Sequence, residues 1–209
     1  ARRTRFDSCR MNPFAYPAQP HQRRHAPRGY ARHESFRDWL RDEFAFRCIY
    51  CLNREQWVNA KGAFAIDHFV PTSINPNLGL EYDNLLYACV ACNLTRGNQL
   101  VPNPLEHLLD STVDVMADGL LRARSPQAEV IVETLHLNDR AYVVRRERML
   151  TLLADLEHRR PALHAIWLGY PEDLPDLGRL RPPAGNGRME GLEQSHYERK
   201  NRGELPASY

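Results

Sequence analysis

Two pairs of cysteines and one Asp-His dipeptide carry most of the chemistry this sequence offers. Cys48 and Cys51 form one C-x-x-C pair and Cys89 and Cys92 a second, with a lone Cys9 upstream. A C-x-x-C turn presents two thiolates from one tight loop, and two such turns complete a tetrahedral zinc site. Four thiolates leave no open coordination position, so the expected role is structural, worth on the order of 10 kcal/mol to folding. A dithiol redox site is disfavoured, because neither pair opens a helix in a thioredoxin-like βαβ setting. The 37 residues between Cys51 and Cys89 exceed a short zinc-ribbon loop. That insert carries Asp67-His68, towards the end of the apolar run "AFAIDHFV". Taken alone, the dipeptide allows two readings: side chains aimed at water or a metal, or a turn aspartate beside a surface histidine.

The surrounding residues favour the first. Cys48-x-x-Cys51, Asp67-His68-Phe69-Val70-Pro71, Asn84-Leu85-Leu86, Cys89-x-x-Cys92-Asn93 and Arg96-Gly97 follow one another in that order. Over roughly residues 45–100 this resembles the HNH endonuclease motif in its four-cysteine, zinc-stapled form. The resemblance implies an α+β fold with a ββα-metal (His-Me finger) core, a structural zinc and additional flanking helices. It implies that His68 is the general base that takes a proton from the water attacking a DNA phosphodiester. An imidazole with an ordinary pKa of about 6.5 is mostly neutral at cytosolic pH and can accept that proton. By the same resemblance Asp67 and Asn93 ligate a catalytic divalent cation, Mg²⁺ or Mn²⁺, and Asn84 ties down the loop that orients His68. Arg96 stands where many relatives carry Lys, and is expected to clamp a phosphate oxygen. The third motif position, His in the name-giving members, is Asn93 here, which points away from zinc or nickel at the catalytic site. An extended strand end lets the Asp67 and His68 side chains diverge towards their separate tasks.

Several elements must hold these groups in place. Ser35-Phe36-Arg37-Asp38 resembles a capping box, and Phe36, Trp39, Leu40 and Phe44 recur at helical spacing, so a helix is expected to lead into Cys48. "NLLYACVACNLTRG" reads as a helix carrying Cys89, Cys92 and Arg96 on one side. "NPLEHLLDSTVDVMAD" reads as an amphipathic helix after Pro104, and "AEVIVETLHL" as a strand. Asn138 is the expected cap of a long helix through "RAYVVRRERMLTLLADLEHRR". In that helix "VVRRER" is either a solvated face or a phosphate-facing stripe.

The chain of 209 residues, 43% hydrophobic and 26% charged, has ordinary globular composition. No apolar run approaches the roughly 18 to 20 residues of a membrane span, and Arg and Pro stand where a signal peptide is apolar, so a cytoplasmic chain without membrane contact is expected. The net charge is only +2, but residues 1–33 hold eight Arg and one acid, net +7, against 20 basic and 25 acidic residues in the remainder. With four Pro and no apolar period, 1–33 reads as a flexible basic arm that either tracks phosphates or is simply solvated. Arg supplies 26 of the 28 basic residues, which suits bidentate phosphate contacts. His21, His25, His33, His107, His136, His158, His164 and His196 are expected at solvated positions, and Cys9 as a free thiol. The expected divisions are the arm 1–33, a nuclease core 34–104, a mainly helical accessory region 105–169 and an extended tail 170–209 that wraps the protein or binds a partner. The leading functional expectation is a DNA endonuclease, as effector of a bacterial antiphage defence system beside a separate ATPase or sensor subunit. The alternatives are a non-catalytic nucleic-acid-binding module and a subunit active only within a larger complex.

Overall fold

The computed structural model describes residues 12–58, 62–109, 112–180 and 191–209. Cys9, the first third of the basic arm and the tail segment 181–190 lie outside the described residues. The architecture mixes helices with two small two-stranded sheets. Three elements frame the Asp-His pair and the second cysteine pair: β1 (Phe64–His68), β2 (Leu85–Cys89) and the helix Val90–Arg96 that leaves β2 directly. The strands pair antiparallel, with Phe64 opposite Cys89, Asp67 opposite Leu86 and His68 opposite Leu85. Val90 N–H donates to Ala63 O at 2.9 Å, so the turn from strand to helix is tied to the start of β1.

The expected single helix "NLLYACVACNLTRG" is therefore strand first and helix second. Leu85 to Cys89 are buried on both faces, so the segment lacks the polar alternation that marks a half-exposed strand, and apolar content alone does not separate it from a helix. The helix ahead of the first cysteine pair, α1 (Arg37–Glu43), follows a 3-10 turn at His33–Phe36 and packs on β2 with Trp39 and Leu40 buried. Its start carries no side-chain cap, in contrast to the expected capping box. A short helix α2 (Glu55–Val58) follows the first cysteine pair, which makes Val90–Arg96 α3 in chain order.

The elements that follow are α4 (Pro104–His107), a hairpin of β3 (Val113–Val115) and β4 (Leu121–Ala123), α5 (Pro126–Thr134), α6 (Arg140–Arg159) and α7 (Pro161–Leu168). The helix expected after Pro104 ends at His107, and Val113–Val115 within its C-terminal half form β3 instead. The expected strand "AEVIVETLHL" is mostly α5. The Ser125 hydroxyl accepts from Ala128 N–H at 3.2 Å, Pro126 occupies the first turn, and Ala128, Ile131, Val132 and Leu135 bury one face. Cap and face spacing outweigh the β-branched run. The cap of α6 is Asp139, while the Asn138 amide holds Leu121 N–H and C=O, each at 2.8 Å. Arg146 is buried under that hairpin and donates to Gly119 O and Leu137 O, both at 2.6 Å. Gly119 has φ +83°, and a β-carbon there would strike the Val143 carbonyl of α6.

Residues 12–33 contain no regular element other than the start of the 3-10 turn, yet they are not a loose arm. Phe14, Tyr16 and His25 are buried. Arg23 lies between the rings of Phe44 and Tyr82, 5.0 Å from each centroid, and donates to Leu85 O at 2.6 Å. The tail returns to the same place. Helix α8 (His196–Asn201) sets His196 against Asp42, and Tyr209 stacks on Tyr170 at 4.4 Å with Arg54 over its ring at 4.2 Å. Among the described residues no helix is long and apolar enough to cross a membrane.

Candidate active site and cysteine cluster

The four cysteines of the two C-x-x-C pairs converge. Their sulfurs all lie within 4.8 Å of one another, and those of Cys51 and Cys89 are 3.7 Å apart. A zinc tetrahedron with metal–sulfur bonds of about 2.3 Å has sulfurs about 3.8 Å apart, so the cluster fits a structural zinc site. Burial pushes the Cys48 thiol well up, while hydrogen bonds from Cys48, Cys51 and Cys92 pull Cys89 down. Four buried sulfurs contending over protons are what a dication relieves. The first knuckle is built on strained backbone, with Ala45, Phe46 and Leu52 at φ between 50° and 58°. It is docked by Cys48 N–H on Asn53 O and Ile49 N–H on Tyr87 O, each at 2.9 Å.

The knuckle also reaches the Asp-His pair. Tyr50, between its two cysteines, donates its hydroxyl to Asp67 Oδ2 at 2.6 Å, and Tyr16 O–H in turn donates to the Tyr50 carbonyl. Asp67 Oδ1 accepts from Arg96 at 2.6 Å, and the same guanidinium caps the His68 and Phe69 carbonyls. Asp67 is 3% exposed and Arg96 1%. Burial pushes the Asp67 carboxyl up, with Arg96 and the Tyr50 hydroxyl opposing. Both carboxylate oxygens are thus engaged, and a guanidinium sits where a cation ligated by Asp67 would need room. The residues do not fit a divalent cation at Asp67 in this arrangement. Arg96 differs from its expected role as well: it lies beneath the site, locking the end of β1, and offers no surface to a phosphate.

His68, next along the strand, points the other way and is half-buried. Its Nε2 lies 3.1 Å from Gly79 O. A carbonyl only accepts, so the neutral ring carries its proton on Nε2 and leaves Nδ1 as a free base. Asn84 shapes the loop that supplies that carbonyl. Its amide oxygen accepts from Val70 N–H at 2.8 Å, and its amide nitrogen donates to Val70 O at 3.0 Å and Leu78 O at 3.1 Å. One side chain therefore pins both ends of the loop beside Gly79. Asn93 is half-buried on α3 and makes no side-chain hydrogen bond among the described residues. Thus the fold gathers His68, Asp67, Asn84 and Arg96 into one connected network, with Asn93 on the adjoining helix.

Sequence reading missed Tyr50, whose signal was its place inside the cysteine knuckle, and His33, whose ring packs against His68. It also assigned His21, His25 and His196 to solvent, whereas each is hydrogen-bonded to Asp42 or Glu43. Arg23 and Arg24 of the arm are occupied by the protein: Arg24 pairs with Asp42 and Glu43. Within "VVRRER", Arg145, Glu147 and Arg148 are exposed as a solvated face requires, with Arg145 bonded to Asn53 at 2.6 Å, while Arg146 is buried.

Residues 48–99, which hold the four cysteines, the two paired strands and the helix that follows them, match the HNH endonuclease family. Septu protein PtuB of Bacillus thuringiensis is 28% identical over 98 residues, which cover 44% of this chain and 37% of that protein. The match thus spans little more than a third of the relative's length.

Proposed function

We propose that residues 48–99 hydrolyse DNA phosphodiester bonds on a ββα-metal scaffold, with His68 as general base. The observation that carries this reading is the Nε2–H···O bond from His68 to Gly79, which leaves Nδ1 of the neutral ring without a proton. Nδ1 takes the proton of an attacking water as the new P–O bond forms, and the 3′ oxygen leaves. Asn84 acts through the loop that places Gly79 O, and Arg96 through the carbonyls of His68 and Phe69 and through Asp67. Mg²⁺ or Mn²⁺, when bound, would stabilise charge on the phosphoryl oxygens. Asn93 is the ligand standing ready on this chain, and Asp67 becomes one only if the Arg96 pair opens.

That closure favours a second reading, in which the isolated chain is inert and a partner, such as an ATPase or sensor subunit, opens the Asp67 network. Service as an antiphage defence effector belongs to the same proposal, and the likeness to Septu protein PtuB supports it over the aligned segment only.

The test is incubation of the purified chain with supercoiled plasmid and Mg²⁺ or Mn²⁺, beside His68→Ala and an EDTA control. Nicking that needs the cation and falls by about 10²- to 10⁴-fold in His68→Ala is expected. Cutting by that variant at the wild-type rate would overturn the base assignment. No cutting by the folded, zinc-loaded wild type would move the weight to the partner-gated reading.

A further inference from the structure

One hydrogen bond to Gly79 fixes a direction for the His68 ring but leaves it free to swing about that bond. A second ring lies against it. His33 meets His68 edge to face, with centroids 4.9 Å apart and planes at 68°. It arrives from far along the chain, on the 3-10 turn His33–Phe36, and it is firmly mounted there. Phe36, three residues on, is fully buried, and Tyr30 packs edge-on against Phe36 at 4.9 Å. Trp39 Nε1–H also donates to the Tyr30 hydroxyl at 3.0 Å. The segment that sequence patterning assigned to a loose arm thus ends as one wall of the candidate site.

We infer that His33 is a positioning residue for His68, holding the plane of the base by aromatic contact. The inference rests on the nuclease reading of His68 and deepens it. Around His33 stand Arg32, Glu34 and Arg37, with Glu34 Oε1 3.6 Å from Nε2. Burial depresses the His33 imidazole, so near neutral pH a neutral ring lies against His68 and the contact is one that Phe can reproduce.

The experiment uses the full zinc-loaded chain with His33→Ala, His33→Phe, His68→Ala and the His33→Ala/His68→Ala double variant. An aromatic pair of ordinary strength predicts a two- to tenfold fall, roughly, in kcat for His33→Ala with KM unchanged. Recovery in His33→Phe is expected, with no further loss when His33→Ala is added to His68→Ala. Independently of cutting, the His68 Cε1–H resonance is expected to be single and sharp in wild type and His33→Phe, and broadened or split in His33→Ala. An unchanged resonance and kcat in His33→Ala overturn the inference. So does a His33→Phe variant as impaired as His33→Ala, or losses at positions 33 and 68 that multiply. Wild-type cutting by His68→Ala sinks the base assignment instead, and the resonance still decides the positioning.

Discussion

Asn84 shows how much a single amide can decide. It satisfies Val70 N–H, Val70 C=O and Leu78 C=O, and Gly79, whose carbonyl holds His68, follows directly. Asn84→Ala strands those backbone groups, so a loss of about 2 to 3 kcal/mol in urea unfolding is expected, together with a fall in nicking. Asn84→Asp keeps the acceptor for Val70 N–H but lacks the amide donors, and is expected to restore little. Arg96 is the harsher case. Arg96→Ala would leave Asp67 buried with its Tyr50 hydrogen bond and no counter-charge, at about 3 to 5 kcal/mol by the same measurement. Arg96→Ala stability near that of wild type would show that Asp67 is not charged in the folded protein. The motif residues were legible at this scale because short local spacings carry them. Gly79 and Tyr50 were not, since a carbonyl acceptor and a hydroxyl donor gain meaning only once the loop and knuckle have closed.

At the scale of elements, the cysteine cluster joins pieces that cannot hold each other alone. Cys48 and Cys51 follow α1, while Cys89 ends β2 and Cys92 lies in α3. Their union docks the strained knuckle against the hairpin. Cys89→Ser, or exhaustive chelation, is expected to remove one zinc per chain and unfold the core cooperatively, read as loss of the near-ultraviolet circular dichroism of the buried Trp39 and Tyr50. Retained tertiary signal after verified zinc loss would assign the cluster a lesser role. Sequence patterning found the knuckles and the long α6, because their spacing is regular. It misread Leu85–Cys89 and α5, where burial on both faces and a β-branched run obscure the period, although Ser125-Pro126 already carried a helix-start signal.

At the scale of the whole molecule, both ends of the described chain fasten on α1. Asp42 accepts from His25 at 2.9 Å, from His196 Nδ1 at 3.0 Å and from His196 N–H at 2.8 Å. Glu43 takes His21 at 2.8 Å and the backbone N–H groups of Arg24 and His25. Burial pushes both carboxyls up, but these hydrogen bonds and nearby positive charges outweigh it and hold both below the usual range, Glu43 at about 2. A depressed folded-state value means stability is present above the ordinary carboxylate range and is lost as pH falls through the folded value. Thermal melts are therefore expected to fall steeply between about pH 4.5 and 2, and less steeply in Glu43→Gln, where a slope equal to wild type would discount the clasp. None of this could be read from composition, since the partners of Asp42 lie 17 and 154 residues away. That second separation has a consequence for biosynthesis. Residues 48–99 leave the ribosome well before His196 does, and until then Asp42 lacks the donors it takes from the tail. Translation as far as His196 thus completes a fastening on α1 that the matched segment does not carry itself.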